Sequence, residues 1–589
     1  MQTFAPPPEI AWNAHGIEPS VPVRRLEDAS WLAGLGLILG LVGIYLLLHH
    51  PPFWAFARWL TTAPAALVIA WLPAFVCAAL LGALGLSAHD RIRHVAGPRL
   101  WEGAPGRAHA RAWARRVGGQ DGRDASLASG VPLPSTIWNR HALIFGSVGS
   151  GKTQILAHLV RQVAAQPRAR MLLADAKGDW TALLPDAALI CPWDARSVVW
   201  DIQRDVRSLP AAAGFAQALV PDGDPRNRFW VESSRACVEG AVRCLMAEGQ
   251  PWGWGDLHDV LRLDAQRMNA RIAPHHPQVA QVLAGSESTV ATVLSSLAAD
   301  TRVLDVLALA WRERRGEPWS VARWLRANTP LPRRVVVQAG ADRSASQQLL
   351  GLIITLTACR MLAPATPETS GTRLWVVLDE LTAAGRLHDL PELIERGRSK
   401  GVALLAGIQD LEQIAALYGR ETANSLASMV GLQVVTQVGP GPTRDRLADL
   451  IGKRRVAVPS LTQQGEGINP QRTTHGLHEE TRALVLPAQL SSCLGPWRTW
   501  RHAGVRAVVL PTGADAYVLD WPIVPLAIRR RAHEPAAWTL HRPGAISALQ
   551  PIAETAPAIP VVGMLAAPGS SPPAPTPEAL FGPPLERER

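Results

Sequence analysis

The stretch Gly146-Ser-Val-Gly-Ser-Gly-Lys-Thr153 constrains the fold of this chain more than any other feature. An apolar run at 141–145 precedes it and predicts a short buried strand, while the periodic run at 154–162 predicts a helix. A strand, a glycine-rich loop and a helix in this order aim backbone N–H groups and the positive end of the helix dipole at a phosphate. The sequence therefore predicts an α/β core that binds a nucleotide.

Each position of this loop has an expected part in holding ATP. Lys152 would reach the β and γ phosphates, and the hydroxyl of Thr153 would bind Mg²⁺. The three glycines would let the backbone close around the phosphates. The predicted nucleotide-binding residues of the loop are Gly146, Ser147, Val148, Gly149, Ser150, Gly151, Lys152 and Thr153. A plain glycine-rich turn is the alternative interpretation.

A second apolar run, at 373–378, ends in Asp379 and Glu380. Asp379 would bind Mg²⁺ together with Thr153, and Glu380 would orient and deprotonate the attacking water. An apolar strand that ends in two carboxylates is common. This assignment therefore depends on its combination with the phosphate-binding loop, or P-loop, at 146–153. Asp379 comes 227 residues after Lys152, a longer separation than a minimal core needs, so we expect an inserted domain.

Further apolar runs predict the remaining strands, at 170–174, 333–338, 402–406, 432–436 and 507–510. Because they alternate with helical patterns, we expect a mostly parallel sheet covered on both faces, with ligands at the carboxyl ends of the strands. Asp175, Asp379 and Gln409 fall at such ends. Helical periodicity dominates residues 205–326 and predicts an all-alpha insertion.

Two uncharged apolar runs near the amino terminus predict a membrane anchor. They cover residues 31–48 and 61–88, and each is long enough to cross about 30 Å of hydrocarbon as a helix. Arginines precede the first run and follow the second, whereas the loop between them holds only Arg58, so both termini should be cytoplasmic. A secretory signal peptide is the alternative for the first run, but no cleavage site follows it.

The charge balance favours polyanions or anionic lipids as partners. Lys plus Arg total 59 against 49 Asp plus Glu, a net charge of +10. Only four of the basic residues are lysines, and Lys152 and Lys177 both stand in the motifs discussed here. The six cysteines show no zinc-ligand spacing, so we interpret them as reduced and structural, as in a cytoplasmic domain.

Taken together, these motifs resemble those of the TraD and TrwB type of conjugative coupling proteins, from the two apolar runs to about residue 455. Asp175-Ala-Lys-Gly-Asp-Trp180 is similar to the family's D-x-K-G-[DE] element. Pro192-Trp-Asp-Ala-Arg196 is similar to its N-P-[FL]-D-x-R element, with Cys191 in place of the usual Asn. The run from Gly407 to Gly419 is similar to the family's G-x-Q-[SD]-x-x-Q-[LI]-x-x-x-Y-G segment.

The resemblance implies roles for three residues outside the loop. Arg398, in Glu395-Arg-Gly-Arg398, has the spacing at which the family places an arginine finger that reaches a neighbouring subunit's nucleotide. Its alternative is a solvated helix charge. Gln409 resembles a sensor of the γ-phosphate, and Arg140 matches an arginine that the family uses near the nucleotide. With this family assignment, Lys152, Glu380, Arg398 and Gln409 form the predicted catalytic set.

The resemblance also implies a domain plan, a function and partners. The expected fold is a RecA-like P-loop NTPase core with an inserted all-alpha domain and two N-terminal transmembrane helices. The predicted segments are a cytoplasmic segment at 1–30, the anchor at 31–88, a basic linker at 89–135, the nucleotide-binding domain at 136–204 and 327–530, the insertion at 205–326, and a Pro/Ala-rich disordered tail at 531–589. The basic cluster at 528–532 is interpreted as a solvated patch.

The implied activity is ATP-driven translocation of DNA, with ATP and Mg²⁺ as cofactors. A homo-hexamer in the bacterial inner membrane would move single-stranded DNA, without sequence preference, from the relaxosome to the proteins of a type IV secretion channel. Two alternatives remain at this stage. One is a DNA-pumping motor of the FtsK or HerA kind, and the other is a platform that binds ATP and docks substrates without moving DNA.

Overall fold

The computed structural model describes residues 93–166, 169–222, 225–312, 317–464 and 472–540. Both predicted membrane spans, at 31–48 and 61–88, lie outside these residues. Within the described residues one helix, Arg343–Leu362, is long and apolar enough to cross a membrane. Of its most apolar window, 72% is buried inside the protein, which is typical of a core helix.

An eleven-stranded sheet forms the centre of the molecule, and a three-stranded sheet lies apart from it. The strands are β1 Arg93–Ala96, β2 Leu100–Trp101, β3 Ala142–Phe145, β4 Arg170–Asp175, β5 Ala188–Ile190, β6 Arg334–Gln338, β7 Leu374–Leu378, β8 Val402–Ile408, β9 Leu432–Val435, β10 Lys453–Gln464, β11 Arg472–Ala483, β12 Gly495–Arg498, β13 Ala503–Pro511 and β14 Ala516–Pro522. The order in the large sheet is β2-β14-β13-β9-β3-β8-β7-β4-β6-β5, and β12 pairs with β13.

In this order the strands from β9 to β5 run parallel to one another, which confirms the mostly parallel sheet expected from the sequence. Every residue of β3, β7 and β8 is buried. Such uninterrupted burial is typical of parallel strands covered by helices on both faces. We call the edge at which these parallel strands end the carboxyl edge, and the edge at which they begin the amino edge.

The helices are α1 Gly103–Arg116, α2 Ser135–Trp138, α3 Lys152–Ala165, α4 Asp179–Leu183, α5 Leu209–Leu219, α6 Arg228–Ala247, α7 Trp254–Leu261, α8 Ala265–Ile272, α9 Gln278–Leu283, α10 Glu287–Asp300, α11 Val303–Trp311, α12 Val321–Trp324, α13 Arg343–Leu362, α14 Leu390–Gly397, α15 Leu411–Tyr418, α16 Arg420–Met429, α17 Pro442–Ile451 and α18 Pro487–Ser492. Helices α5 to α12 follow one another between β5 and β6, in the stretch where periodicity predicted an insertion. Trp254 lies at the base of this helical region and donates a hydrogen bond from its indole to the carbonyl of Trp200, at 2.8 Å.

Strand β13 differs from the prediction in length and direction. The apolar run at 507–510 was expected to join the parallel core, whereas β13 covers Ala503–Pro511 and runs antiparallel to β9, β12 and β14. The reason is its connections, because short turns join β12 to β13 and β13 to β14, and such turns can link only antiparallel strands.

The described part of the predicted basic linker packs onto the core. Helix α1 buries Gly106, Ala110, Trp113 and Ala114 on one face, and its arginines lie on the other. The indole of Trp521 in β14 donates to the carbonyl of Leu127 at 2.6 Å. The sequence prediction gave weight to the charges in this segment and missed the small apolar stripe between them, which has helical spacing.

The carboxyl-terminal end of the described chain contacts the core more closely than predicted, although Arg529 and Arg531 are exposed, as expected of a solvated patch. Residues 529–540, here called the C-terminal strap, were expected to be a solvated patch followed by a disordered tail. Instead Arg530 donates to the carbonyl of Thr181 at 2.6 Å, and Ala536 N donates to Trp193 O at 2.8 Å. Backbone hydrogen bonds and the side chain of Arg530 hold the strap, and neither leaves a pattern of apolar side chains in the sequence. Residues 541–589 lie outside the described residues.

Candidate nucleotide site

The loop between β3 and α3 holds a buried lysine. Lys152 is 7% exposed, and its Nζ donates to the carbonyl oxygens of Gly146, at 2.6 Å, and Ser147, at 3.1 Å. Burial lowers the pKa of Lys152, and Lys177 lowers it further, whereas Glu380 and Asp379 act in the opposite direction. No carboxylate among the described residues forms an ion pair with this ammonium, so its charge is available to an anion in the loop.

Backbone geometry at this loop requires glycine. Gly149 and Gly151 have φ values of +76° and +93°, in the left-handed region that side chains disfavour. A Cβ at Gly146 would lie 1.8 Å from the hydroxyl oxygen of Thr436. The loop therefore has the close turns that bring N–H groups together around a phosphate.

The residues after β9 hold the loop from the side. The hydroxyl of Thr436 donates to the carbonyl of Phe145, at 2.9 Å, and lies 2.8 Å from the hydroxyl of Ser150. Gly439 N donates to the hydroxyl of Ser147 at 2.8 Å. The sequence analysis did not select Thr436, although a polar residue directly after a strand adjacent to the P-loop strand was a usable signal.

The predicted metal-binding residues lie side by side. The hydroxyl of Thr153, in the first turn of α3, donates to Oδ1 of Asp379 at 3.3 Å. Asp379 follows β7, and β8 separates β7 from β3. Burial raises the pKa of Asp379, while Trp180, Thr153 and Lys177 act to lower it. A cation at this position would therefore relieve an unfavourable charge burial.

Two further carboxylates lie near this pair and differ in function. Glu380 accepts a hydrogen bond from the Thr382 hydroxyl at 2.7 Å and acts electrostatically on Lys152, so it lies at the loop. Asp175, at the end of β4, is buried and accepts from Gly178 N at 2.8 Å and from Thr181 N at 2.7 Å. Asp175 therefore shapes the turn that presents Lys177 instead of facing a ligand.

Gln409 lies beside the start of the loop. It follows β8, whose last residue, Ile408, accepts a hydrogen bond from Gly146 N at 3.0 Å. The next residue, Asp410, begins α15 by accepting from Glu412 N at 2.9 Å. Gln409 thus lies at the carboxyl edge between two neighbours. The P-loop follows β3 on one side of it, and Asp379 follows β7 on the other side.

Arg398 and Arg140 lie at the amino edge, away from this site. Arg398 follows α14 and is exposed, and Arg140 lies two residues before the start of β3. Burial lowers the pKa of His141 to about 4, and the charge of Arg398 contributes to this shift, so the two groups are close. Within one chain the length of β3 separates Arg140 from the P-loop, so its role near the nucleotide stays a prediction.

The fold and the site together define a P-loop nucleotide-binding protein. A family model described as "Type IV secretion-system coupling protein DNA-binding domain" matches residues 125–500. The chain belongs to this family of coupling proteins, which confirms the resemblance seen in the sequence.

Known relatives agree with this assignment. Coupling protein TraD of Escherichia coli (strain K12) is 24% identical over 385 residues, which are 63% of this chain and 52% of that protein. The chain therefore spans about half the length of this curated relative. The solved structure of the conjugative coupling protein TrwBΔN70, unbound, has 19% identity and a TM-score of 0.62, covering 76% of this chain and 97% of TrwB. TrwB in complex with ADP and Mg²⁺ has 18% identity and a TM-score of 0.60, with 76% and 99% covered. At these identities the structures establish the fold.

Proposed function

We propose that this chain is a membrane-anchored ATP hydrolase that moves DNA from a relaxosome to a type IV secretion channel. The observation that carries the proposal is the 3.3 Å contact between Thr153 and Asp379 beside the buried Lys152. These are the three groups that a P-loop enzyme needs to hold a metal-bound triphosphate.

The residues of the site fit ATP and Mg²⁺. Among the described residues Lys152 has only carbonyl partners, Asp379 is a half-buried carboxyl with a raised pKa, and the loop has the glycine conformations that phosphate binding requires. TrwB, whose fold this chain shares, has been solved with ADP and Mg²⁺ and with a non-hydrolysable ATP analogue. Mg²⁺ bound by Thr153 and Asp379 would offset the negative charge of the phosphates.

The chain's own residues suggest how hydrolysis proceeds. Lys152 and the loop N–H groups hold and orient the β and γ phosphates, so that the reacting phosphorus is fixed in place. Glu380 takes a proton from the attacking water as the water adds to the γ-phosphorus and the bond to ADP breaks. Gln409, beside the loop, contacts the γ-phosphate and responds to its loss.

A second copy of the chain completes the site. Arg398 is exposed at the amino edge, where it cannot reach the P-loop of its own chain. A neighbouring copy that sets its amino edge against this carboxyl edge would place Arg398, and Arg140 beside it, at the nucleotide. Six copies in a ring would repeat this arrangement, and hydrolysis at one interface would then shift the next subunit.

Charge and family support DNA as the transported polymer. The net charge of +10 favours a polyanion, and the matching family is described by its DNA-binding domain. Contacts to the phosphate backbone require no base sequence, which suits a motor that passes any DNA. The apolar runs at 31–48 and 61–88 would anchor the ring in the inner membrane with both termini in the cytoplasm.

The test is ATP hydrolysis by the full-length chain in detergent, with and without single-stranded DNA. We expect Mg²⁺-dependent hydrolysis that DNA stimulates, and we expect Lys152→Ala to abolish it and to abolish plasmid transfer while membrane insertion persists. Hydrolysis that DNA leaves unchanged would favour the docking platform. Normal transfer by Lys152→Ala would end the motor proposal.

A further inference from the structure

The tip of the β12–β13 hairpin carries an unusually exposed tryptophan. Trp500 is 84% exposed, in a turn closed by a hydrogen bond from Thr499 N to His502 O at 2.7 Å. His502 N also donates to the hydroxyl of Thr499 at 3.0 Å, so the turn is held from both sides. Single exposed apolar side chains are common on protein surfaces, so the exposure of Trp500 gains meaning only from the groups around it.

One face of this indole already has a partner. The guanidinium carbon of Arg501 lies 3.8 Å from the centroid of the Trp500 ring, which is a cation–π contact. The exposed fraction of Trp500 shows that the other face remains open. Arg498 and Arg501 are both exposed, and residues 498–502 contain no acidic side chain. The hairpin tip therefore offers an aromatic surface and positive charge together.

The hairpin stands at the same edge of the sheet as the P-loop. Strand β13 runs antiparallel to β9, and β9 runs parallel to β3, so β13 begins where β3 ends. The side chain of Val505 fills the space beside Gly151, where a Cβ would meet it at 2.6 Å. Trp500 is five residues from Val505, a distance of at most about 17 Å along an extended strand.

The site fixes the direction in which a nucleotide must extend. Thr153 and Asp379 mark the metal and the γ-phosphate, on the side of β3 toward β8 and β7. The nucleoside end must then lie on the other side of β3, toward β9 and β13. Arg498 pairs with Ala503, which is on the same face of β13 as Val505, so Arg498 lies on the face that contacts the P-loop.

From this arrangement, and resting on the nucleotide site proposed above, we propose that the β12–β13 hairpin is the nucleobase subsite, with the purine stacked on the open face of Trp500. Arg501 backs the indole from the other side, and Arg498 adds positive charge near the ribose and α-phosphate. Stacking uses the π-face that all bases share. The subsite therefore accepts adenine and guanine nucleotides alike.

The experiment compares ADP with inorganic tripolyphosphate, which has phosphates but no base, as ligands of the full-length chain in detergent. Calorimetric titration of Trp500→Ala should show ADP binding weakened by a factor of roughly 10 to 100, the loss expected for one base–aromatic stack. Tripolyphosphate binding should be unchanged. Trp500→Phe should restore most of the ADP affinity, because phenylalanine also stacks. The control variant is Phe229→Ala, which removes an aromatic side chain that is 55% exposed in α6. It should leave the affinity for both ligands unchanged.

Several results would overturn the inference. Equal weakening of both ligands by Trp500→Ala, or no weakening of ADP, would exclude a base contact. A loss of affinity for a single-stranded oligonucleotide with ADP binding intact would assign the hairpin to nucleic acid instead. If the unaltered chain bound neither ADP nor tripolyphosphate, the nucleotide site itself would be wrong, a result that differs from any effect confined to Trp500.

Discussion

The hydroxyl of Thr153 donates a hydrogen bond to Oδ1 of Asp379 at 3.3 Å, although 226 residues separate the two along the chain. The parallel strands β3, β8 and β7 create this contact, because each ends at the same edge of the sheet. The helical insertion between β5 and β6 lengthens the chain without separating the two residues. A metal can therefore be held by groups from distant parts of the sequence.

The raised pKa of Asp379 predicts a particular pH dependence. A carboxyl whose pKa is raised becomes protonated at a higher pH than an ordinary aspartate, and the protonated form does not bind Mg²⁺. Mg²⁺-dependent hydrolysis should thus decline as the pH falls, starting above the usual range of aspartate. Titrations of Mg²⁺ at a series of pH values measure this, and more Mg²⁺ should move the decline to lower pH. If the pH of the decline did not change with Mg²⁺ concentration, the assignment of Asp379 as a metal ligand would be contradicted.

Glu380→Gln should retain nucleotide binding and lose turnover. The amide keeps the size of the side chain but cannot take a proton from water, so we expect kcat to fall by a factor of about 10² to 10⁴. Steady-state kinetics together with ADP titration separate the two effects. Glu395→Gln, at an exposed position after the middle of α14, is the matched control and should leave kcat unchanged. Unchanged turnover in Glu380→Gln would remove Glu380 from the mechanism.

Arg398→Ala should reduce hydrolysis by a factor of about 10³ to 10⁵ if Arg398 acts as an arginine finger. Mixing Arg398→Ala chains with Glu380→Gln chains should restore part of the activity, since some interfaces then combine an intact Arg398 with an intact Glu380. Arg396→Ala is the control, because Arg396 is an exposed arginine of the same helix that pairs with Glu392. Complete absence of rescue would count against action across an interface.

His141 predicts a loss of stability at mildly acid pH. Its Nε2 donates to the carbonyl of Ile394 at 2.8 Å, and its Nδ1 accepts from Leu404 N at 3.1 Å, so the folded protein needs the neutral ring. Burial lowers the pKa of His141 to about 4 from 6.5. Below 6.5 the unfolded chain binds a proton that the folded chain does not, so stability is complete above that pH and falls toward pH 4.

The expected loss from His141 over this range is about 3 kcal/mol. Unfolding midpoints should fall from neutral to acid pH in the unaltered chain. They should fall less steeply in His141→Gln, which will also be less stable at neutral pH. His502→Gln serves as the control, because His502 is exposed. An identical slope in His141→Gln would assign the acid sensitivity to other groups.

The central strands could be predicted because burial on both faces requires continuous apolar runs, as in β3 and β7. The motifs directly after these strands, Gly146–Thr153 after β3 and Asp379–Glu380 after β7, then predicted which residues bind the ligand. Packing that depends on small residues or on single polar side chains escaped prediction, as at Ala110 in α1 and at Arg530 in the strap. The hairpin of β10 and β11 was missed because its ends are polar, as at the pair of Arg455 and Thr481, and polar runs resemble a loop in the sequence.

The location of Arg398 illustrates a further limit of the sequence. Spacing alone left open whether this arginine is a finger or a solvated charge, because the order of residues does not say which edge of the sheet a loop occupies. The structure places Arg398 at the edge opposite the P-loop, so the proposed finger role requires a second chain.

The C-terminal strap has a practical consequence for anyone who shortens this protein. The side chain of Asp194 has no exposed surface, and its partners include Arg196, at 2.7 Å, and Glu534 N, at 2.9 Å. Ala532 accepts from Gln338 Nε2 at 3.0 Å and lies against Gly178, next to Lys177. Cutting the chain ahead of Ala532 would remove partners of an aspartate from which water is otherwise excluded. It would also free the turn that carries Lys177, whose charge lowers the pKa of both Lys152 and Asp379. An apparently harmless trimming of the tail would therefore damage the site at which phosphate is held.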